Sequence, residues 1–343
     1  MSSTLVRIER QIAAFRSYRK RELKPRQFPL RVWVEPTARC NLRCGYCPNL
    51  ILAKSEKGLM EFDLYKKIVD QLSGRALDIN LFHRGESLMH PQLDRFIEYA
   101  CQKGLYTRLH TNATLLTDEI SERIIQAGLD WISFSFDGYD KEVYERNRVL
   151  GRYERVVGNI RQFLSIKRQL KLRRPFAVLQ TMEIGYEHLP PEQVAEKRRR
   201  FRAQFAGLPL NRFVVRIPHN WAGSIKNFTV DQLRAAGYQY TVCTFPWYAM
   251  VILSDGRVSP CPQDFMAEMI MGDLRTQTIE EVWRGMELRR LREDLGHKCQ
   301  PTTRACLECD RIWRKTIAGI PADYLSAYIG DGWAAIKSSL RRD

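Results

Sequence analysis

The clearest pattern along the chain is an alternation of short apolar runs with longer amphipathic stretches. Six apolar runs have the length and composition of buried β-strands. They cover residues 31–35, 78–83, 106–111, 131–135, 176–182 and 212–217. The helical stretches that separate them cover residues 61–72, 91–103, 117–127, 152–170 and 191–205. Strands separated by helices of this length predict βαβ units and a parallel sheet, whose carboxyl ends meet on one edge.

Both ends of the chain depart from this alternation. Residues 1–27 predict an amphipathic helix that ends near Pro25, with apolar side chains at helical spacing. These are Leu5, Ile8, Ile12 and Phe15. Beyond about residue 223, a β-hairpin over 251–258, a helix over 278–295 and a helical stretch from Ala322 replace the repeat. The predicted parts are an N-terminal helix (1–27), an α/β domain (28–222), a small cysteine-rich domain (223–318) and a helical tail (319–343).

Composition is that of a globular protein with a basic excess. The chain of 343 residues is long enough to bury a full hydrophobic core. Its 44% hydrophobic and 27% charged residues are typical of globular proteins. Its net charge of +16 could attract nucleic acid, an anionic membrane or an anionic substrate, but solvated helix faces explain it as well. The basic runs lie on predicted outer helices without interleaved aromatic residues, which makes nucleic acid an unlikely partner. No apolar run reaches the roughly 18 residues that span a bilayer, and the chain starts without an apolar signal segment, so we expect a cytoplasmic protein.

The residues that carry chemistry begin directly after the first predicted strand. Cys40, Cys44 and Cys47 stand in the pattern Cys-x3-Cys-x2-Cys on one short loop. Three thiolates can hold three irons of a [4Fe–4S] cube and leave the fourth iron open to a small molecule. Zinc loops more often use Cys-x2-Cys pairs with a fourth ligand, and disulfide frameworks suit small secreted domains.

This loop, with Tyr46 before the third cysteine, resembles the signature of radical S-adenosylmethionine (SAM) enzymes. The resemblance implies an α/β fold, a partial (β/α)6 barrel of the TIM type, in which the open iron binds SAM. It implies reductive cleavage of SAM to a 5′-deoxyadenosyl radical that abstracts a hydrogen atom from the substrate. It also implies a flavodoxin or ferredoxin-type electron donor.

A second set of cysteines follows residue 223. Cys243, Cys261, Cys306 and Cys309 form two separated pairs, which by themselves fit zinc as well as an iron–sulfur cluster. Downstream of the first loop, and with Gly256 before Cys261, they resemble the twitch or SPASM extension of radical SAM enzymes, whose cysteines carry auxiliary [4Fe–4S] clusters. A full SPASM module has more cysteines. The resemblance therefore implies the shorter twitch form, with one fully ligated auxiliary cluster.

Several residues at predicted strand ends match positions that contact SAM in this family. Gly85-Glu86 resembles its Gly-Gly-Glu motif, with Arg84 in place of the first glycine. A glycine permits close backbone approach, and a carboxylate pairs with an ammonium group. Thr111, Asn112, Ser135 and Asp137 resemble further family positions, and Gln180 and Tyr46 are expected to border the adenosyl group. Turn chemistry alone also explains Asn112 and Asp137.

The sequence marks no single catalytic base. Asp264 lies three residues after Cys261, and His83 lies at the end of the second predicted strand. Glu183 and His219 are alternatives at later strand ends. Cys299 is left over beside the ligand cysteines and could act as a hydrogen-atom donor.

These features predict a radical SAM oxidoreductase, similar to a dehydrogenase, that acts on a sugar, aminocyclitol or nucleoside. The auxiliary cluster would accept the second electron of the oxidation. A hydrogen atom supplied by Cys299 would instead make the enzyme an epimerase. Decarboxylation of similar substrates and peptide modification by a SPASM-type maturase also stay open. A zinc-stabilised nucleic-acid-binding protein is the alternative from another class.

Overall fold

The structure, a computed structural model, describes residues 3–216, 218–225, 229–296, 301–317 and 320–321. Residue 217 of the sixth predicted strand, Cys299 and the predicted tail from Ala322 lie outside these residues. The chain forms two compact units. The barrel unit contains Val32–Pro218 and Val251–Arg257. The second unit contains the residues up to Arg31, His219–Met250 and the residues from Val258 onward, so three separate stretches of sequence build it.

Strands and helices of the described residues follow in chain order. The strands are β1 (Arg31–Val34), β2 (Arg43–Cys44), β3 (Asp78–Asn80), β4 (Tyr106–Thr111), β5 (Trp131–Asp137), β6 (Arg148–Val149), β7 (Phe176–Met182), β8 (Arg212–Arg216), β9 (Gln239–Tyr240), β10 (Ala249–Ile252), β11 (Arg257–Ser259), β12 (Gly272–Asp273), β13 (Trp313–Arg314), β14 (Thr316–Ile317) and β15 (Ile320–Pro321). The helices are α1 (Ser3–Arg19), α2 (Phe62–Leu72), α3 (Leu93–Gln102), α4 (Asp118–Gln126), α5 (Lys141–Asn147), α6 (Tyr153–Gln169), α7 (Pro191–Ala203), α8 (Val230–Ala235), α9 (Phe245–Tyr248), α10 (Ile279–Trp283), α11 (Met286–Gly296) and α12 (Arg304–Leu307).

The sheet of the barrel unit follows the predicted repeat. Six strands lie in the order β1-β3-β4-β5-β7-β8, and the pairing from β3 to β8 is parallel. Helices α2, α3, α4, the pair α5 and α6, and α7 connect them in turn. The predicted fold class is confirmed: the unit is an α/β partial barrel of the TIM type. In such a barrel, functional residues gather at the carboxyl ends of the strands.

Aromatic packing explains how the connecting helices attach to this sheet. Phe163 of α6 meets Phe134 of β5 edge-on, with ring centroids 5.3 Å apart. Tyr65 of α2 stacks on Phe96 of α3 at 4.0 Å. Full burial of such a side chain contributes roughly 1.5–3 kcal/mol. The first contact holds α6 against the sheet, and the second holds α2 against α3.

Helix α1 is shorter than the predicted helix. It ends at Arg19, well before Pro25, because Arg21 takes a positive φ of 57°. The Ser17 hydroxyl donates to the Glu22 carboxylate at 2.7 Å across this turn. A local side-chain hydrogen bond, rather than proline, therefore accompanies the end of the helix.

The apolar side chains that predicted α1 are not its buried face. They are 38–53% exposed, and they comprise Leu5, Ile8, Ile12 and Phe15. The buried side carries Ala14 and Tyr18, whose ring lies 5.8 Å from that of Trp247 in the second unit. The helical periodicity of the sequence predicted the helix correctly. The tertiary contacts bury the face that carries Ala14 and Tyr18 instead of the more apolar face.

The predicted helix over residues 278–295 is two helices, α10 and α11. Thr278 begins α10 with a capping box that includes Glu281. Gly285 separates the two helices, and a Cβ there would approach the Glu281 carbonyl oxygen to 2.8 Å. The glycine therefore allows a backbone approach between the two helices that a residue with a side chain would obstruct.

A buried arginine joins separate stretches of the second unit. Arg292 of α11 donates from Nε to the Pro246 carbonyl at 2.9 Å and from Nη1 to the Leu23 carbonyl at 3.0 Å. Nη1 also donates to the Trp283 carbonyl at 2.9 Å. The residues before β1 are thereby held to the cysteine-bearing stretches. Across the described part of the chain, no helix has the length and apolarity needed to cross a membrane.

Candidate active site

The three cysteines of the first loop lie close enough in the barrel unit to affect one another's pKa. The loop follows β1, and Cys44 lies on β2, which pairs antiparallel with β6. Burial raises the pKa of Cys40 to about 11 and that of Cys47 to about 12. The neighbouring thiols add to both increases, so all three share one space. A metal centre bound there would have to displace their protons.

Arg148 is a buried cation beside these thiols that the sequence analysis missed. It lies opposite Cys44 in the β2–β6 pair, and its Nε donates to Asp137 Oδ2 at 2.8 Å. Its charge lowers the pKa of all three thiols, against the larger effect of burial. No local pattern marks Arg148, because only a pairing between segments distant in sequence brings it to the loop. Asp137, a predicted SAM contact, holds its guanidinium.

Glu86 presents a buried carboxylate between the cysteine loop and the end of β4. Thr111 Oγ1 donates to it at 2.8 Å and the Asn112 backbone N–H at 2.7 Å. Burial raises the pKa of Glu86, and these hydrogen bonds oppose that effect. The carboxylate in turn raises the pKa of Cys40. Three of the predicted SAM contacts therefore lie together beside the thiols, where a carboxylate can pair with an ammonium group.

A side-chain network ties this group to the cysteine loop. Asn112 donates from Nδ2 to Asn41 Oδ1 at 3.0 Å, and Asn41 donates to Thr114 Oγ1 at 2.7 Å. Asn41 follows the first loop cysteine directly. The network therefore sets the position of the loop relative to the end of β4.

Gly85 allows the backbone after β3 to touch the segment that leads into the loop. A Cβ at Gly85 would lie 2.4 Å from the carbonyl oxygens of Thr37 and Arg39. The next residue, Glu86, donates its N–H to the Arg39 carbonyl at 2.8 Å. No side chain fits this contact, so the glycine is a geometric requirement here.

We expect Gly85→Ala to displace the loop and to destabilise the protein by about 1–3 kcal/mol, the usual cost of overpacking. Iron retained after reconstitution and the urea midpoint measure the two effects. Gly45→Ala is the matched control, since a Cβ at Gly45 in the same loop has no atom within 4 Å. Equal iron and equal midpoints in both variants would show that the close approach does not matter.

Arg84, which replaces a glycine of the family motif, forms a buried ion pair. Its guanidinium contacts both oxygens of Glu35, with Nε to Oε2 at 2.7 Å and Nη2 to Oε1 at 3.0 Å. Nη1 reaches Glu56 Oε2 at 3.0 Å. Arg257 contacts the same Glu56 oxygen at 2.6 Å. The departure from the family pattern thus has a structural reason, because this arginine compensates a carboxylate buried at the end of β1.

The remaining predicted residues of the barrel unit are Tyr46, Ser135, Gln180 and His83. Tyr46 is half-buried in the cysteine loop. Ser135 and Gln180 are neighbours in register on β5 and β7, and their side chains make no hydrogen bond within the described residues. Burial lowers the pKa of His83 to about 4, so its ring is neutral near pH 7 and a weak base.

Four cysteines of the second unit also lie close enough to affect one another's pKa. Burial raises the pKa of all four thiols, and that of Cys309 reaches about 12. Cys243, Cys261 and Cys309 each raise the pKa of Cys306 further. Cys306 and Cys309 lie in one turn, in which the Cys309 N–H donates to the Cys306 carbonyl at 3.2 Å. The predicted set of four is thus gathered in one place.

Asp264 lies beside this set, and its oxygens are already engaged. Ser259 Oγ donates to it at 3.0 Å, and the backbone N–H groups of Glu268 and Met269 donate at 2.9 and 3.0 Å. Burial raises the pKa of Asp264, and its charge raises that of Cys261. The carboxylate therefore organises the turn after Cys261.

His219, an alternative base, pairs with a carboxylate next to a predicted ligand. Its Nδ1 lies 2.8 Å from Asp310 Oδ2, and Asp310 follows Cys309. Asn220 adds a hydrogen bond from Nδ2 to the Glu308 carbonyl at 2.7 Å. These contacts hold the last cysteine turn within the second unit. Cys299, the predicted hydrogen-atom donor, lies outside the described residues.

The donor set fits iron–sulfur clusters. All eight cysteines of the described residues are free thiols, and seven of them form the two groups of three and four. Cysteine thiolates are the usual ligands of such clusters. Within the described ranges, no group of three or more His, Cys, Asp or Glu side chains converges tightly enough to hold a single metal ion. The case for clusters therefore rests on the number and grouping of the thiols.

Two family models match the chain. The radical SAM superfamily matches residues 34–170, which include the first cysteine loop. The SPASM iron–sulfur cluster-binding domain matches residues 243–310, which include the second cysteine set. The chain belongs to the radical SAM superfamily and carries a SPASM-type domain. It is therefore a radical SAM enzyme. Its two domains imply three kinds of cofactor, namely SAM, a SAM-binding [4Fe–4S] cluster and an auxiliary [4Fe–4S] cluster. The two family matches favour an iron–sulfur enzyme over the zinc-stabilised nucleic-acid-binding protein that the sequence left as an alternative.

Relatives with different activities resemble most of the chain. The AdoMet-dependent heme synthase of Methanosarcina barkeri is 26% identical over 77% of this chain and 86% of its own. The S-adenosyl-L-methionine-dependent 2-deoxy-scyllo-inosamine dehydrogenase of Niallia circulans is 24% identical over 81% of this chain and 92% of its own. The structure of Streptococcus suis SuiB bound to precursor peptide SuiA has a TM-score of 0.63 at 15% identity. It covers 87% of this chain and 73% of that one, and it shows a shared fold.

Proposed function

We propose that this enzyme oxidises a small polar substrate, such as a sugar, aminocyclitol or nucleoside, by two electrons. The grouping of four thiols in the second unit carries the proposal. Four thiolates saturate a [4Fe–4S] cluster and leave no iron open to a substrate, so electron transfer is the role that remains for it. Similarity to an aminocyclitol dehydrogenase over most of both chains supports the same reaction class.

In this proposal, the two cysteine groups hold different clusters. Cys40, Cys44 and Cys47 hold the SAM-binding cluster, and the four cysteines of the second unit hold the auxiliary one. When bound, these groups supply the reductive cleavage of SAM and a one-electron acceptor. Glu86 offers its carboxylate to the SAM ammonium group, and Arg148 offers a buried positive charge to the SAM carboxylate.

The overall reaction balances without a further oxidant. A secondary alcohol and SAM become a ketone, methionine, 5′-deoxyadenosine and one proton. The substrate loses two hydrogens in total, one as an atom and one as a proton with an electron. Asp264 is the proposed proton acceptor because it lies beside the auxiliary cysteines, although its three hydrogen bonds must rearrange.

The test compares wild type with the Cys306→Ala, Cys309→Ala variant under dithionite, on a panel of aminocyclitols, sugars and nucleosides that includes 2-deoxy-scyllo-inosamine. Wild type is expected to give a product lighter by two hydrogen atoms and one 5′-deoxyadenosine per product. The variant is expected to keep cleaving SAM but to form no oxidised product, because its electron acceptor is lost.

Cys101→Ala is the matched control for this pair. Its thiol contacts the Gly128 carbonyl at 3.1 Å, away from both cysteine groups, and the variant should behave like wild type. A product of unchanged mass would favour epimerisation instead. Oxidation by the double variant, or no oxidation of any panel member by wild type, would refute the proposal.

A second candidate follows from the Methanosarcina barkeri heme synthase. An iron tetrapyrrole with several carboxylates would suit the net charge of +16. A change in the visible absorption of such a tetrapyrrole, dependent on SAM, would favour this candidate. An unchanged spectrum would leave the oxidation of small polar substrates as the better supported function.

A further inference from the structure

A half-buried arginine of the second unit lies between two of its four grouped cysteines. Arg311 follows Cys309 by two residues, and its backbone N–H donates to the Cys309 sulfur. Its guanidinium lies over the ring of Phe245, with Cζ 5.5 Å from the ring centroid. The Phe245 N–H in turn donates to the sulfur of Cys243. The backbone of Arg311 therefore contacts one cysteine, and its charged end lies beside the residue that contacts another.

The backbone around Arg311 fixes this placement. The segment after Arg311 forms β13, which pairs antiparallel with β9. The Thr241 N–H extends the pairing with a hydrogen bond to the Ile312 carbonyl at 2.7 Å. Arg314 Nε donates to the Arg311 carbonyl at 2.9 Å and brings a second guanidinium to the same turn. The segment that follows one cysteine is thus bound to the segment that precedes another.

The two arginines place positive charge on one side of the four thiols. Arg311 and Arg314 both lower the pKa of Cys243. Arg311 also lowers the pKa of Cys309, against the opposite effect of Asp310. Carboxylates raise the pKa of the other two thiols; they are Asp264 at Cys261 and Asp294 at Cys306. The side of Cys243 is therefore the cationic side of the set.

We propose that Arg311 sets the reduction potential of the auxiliary cluster by holding a positive charge between Cys243 and Cys309. The inference deepens the proposed function and rests on the ligation of that cluster by the four cysteines. A [4Fe–4S] cluster with four thiolate ligands is an anion that gains one more negative charge on reduction. A nearby cation stabilises the reduced form more than the oxidised form, and burial limits the screening of its charge by water. Arg311 thereby makes the cluster a stronger electron acceptor.

The charge of Arg311 acts on one electron-transfer step of the proposed reaction. In that step the substrate radical loses one electron and one proton, and the auxiliary cluster gains the electron. The proton goes to the proposed base, and the C–O bond becomes the C=O bond of the ketone. Arg311 acts through the cluster rather than on the substrate, so its effect is measured as a potential.

A redox titration of the reconstituted enzyme, followed by EPR, measures this potential. The Cys40→Ala, Cys44→Ala, Cys47→Ala background leaves the auxiliary cluster as the one that is titrated. In this background, Arg311→Met is expected to shift the one-electron equilibrium about tenfold or more toward the oxidised form, which lowers the potential by about 59 mV or more. Arg311→Lys keeps the charge and should restore most of the potential.

Arg290→Met is the matched control, because Arg290 is an arginine of the same unit whose side chain is 66% exposed on α11. It should titrate like the background protein. Iron analysis before each titration shows whether the cluster is loaded. If Arg311→Met loads no iron, Arg314→Met replaces it, and it should also lower the potential because Arg314 acts on Cys243.

Two outcomes would overturn the role of Arg311. One is an unchanged potential in Arg311→Met or, where that variant is unloaded, in Arg314→Met. The other is a potential of Arg311→Lys as low as that of Arg311→Met, which would show that packing rather than charge matters. A background protein without any reducible cluster would instead overturn the ligation by the four cysteines, and with it the proposed function. The two kinds of failure are thus separable.

Discussion

Replacing Cys40, Cys44 and Cys47 together by alanine is expected to abolish the cleavage of SAM and to remove about half of the iron. Reconstituted wild type should hold about eight irons per chain and the triple variant about four, because only the first cluster loses its ligands. Iron analysis and EPR under dithionite measure the clusters, and 5′-deoxyadenosine measures the cleavage. The first loop and the second cysteine set belong to different compact units, so the loss should be confined to one of them.

Cys101→Ala is again the control, and it should keep all of the iron. A triple variant with undiminished iron would contradict the ligand assignment. Wild type with about four irons that fall to none in the variant, together with bound zinc, would leave the first site and remove the auxiliary acceptor. Redox-neutral chemistry would then be favoured over oxidation.

Arg84→Met is expected to lower the free energy of unfolding by about 3–5 kcal/mol. Glu35 would keep its charge in a fully buried position without the guanidinium that contacts both of its oxygens. Denaturation of the metal-free protein in urea, followed by circular dichroism, measures the loss. Glu56 would keep Arg257 as its partner, so the damage should centre on Glu35.

The double variant Glu35→Gln, Arg84→Met supplies the control, since it removes both charges. It should regain most of the lost stability, because a buried pair is often replaceable by neutral side chains. Equal instability of the single and double variants would show that the charge of Glu35 is not the cause.

The pH dependence of the same ion pair has a definite sign. Burial acts to raise the pKa of Glu35, but the hydrogen bonds and charge of Arg84 outweigh it and lower the pKa. A carboxyl with a lowered pKa stabilises the fold above its unfolded pKa of about 4.3. That contribution to stability is lost as the pH falls through the pKa of Glu35 in the folded protein. The Arg84→Met variant should lack this pH-dependent contribution.

The regular part of the fold could be predicted from local pattern. Residues 106–111 and 176–182 are strands with the predicted bounds, because apolar runs of that length between helices have few other structures available. The buried face of α1 could not be predicted in this way. Its exposed side carries larger apolar residues than its buried side, and the contacts of Tyr18 with distant residues decide the outcome.

The residues of the candidate site likewise fall into those that a local motif predicts and those that only the tertiary structure brings together. Short motifs revealed the cysteine loop and Gly85-Glu86, because the residue types that mark them stand close together in the sequence, although the contacts of Gly85 and Glu86 are with distant residues. Arg148 and the pairing of Arg84 with Glu35 depend on side chains from separate strands. Those contacts follow from the folded register, and no spacing along the chain encodes them.

The three-part construction of the second unit has a consequence for its biosynthesis. Its first stretch, up to Arg31, leaves the ribosome about 190 residues before its next stretch, which at roughly 5–20 residues per second is about 10–40 s. During that interval α1 lacks Trp247 as a packing partner, and the Leu23 carbonyl lacks its donor Arg292. The barrel sequence is translated meanwhile, so the nascent chain carries an amphipathic helix with no native partner. Trigger-factor-type chaperones that hold such segments should therefore raise the yield of folded protein more than they would for a barrel alone.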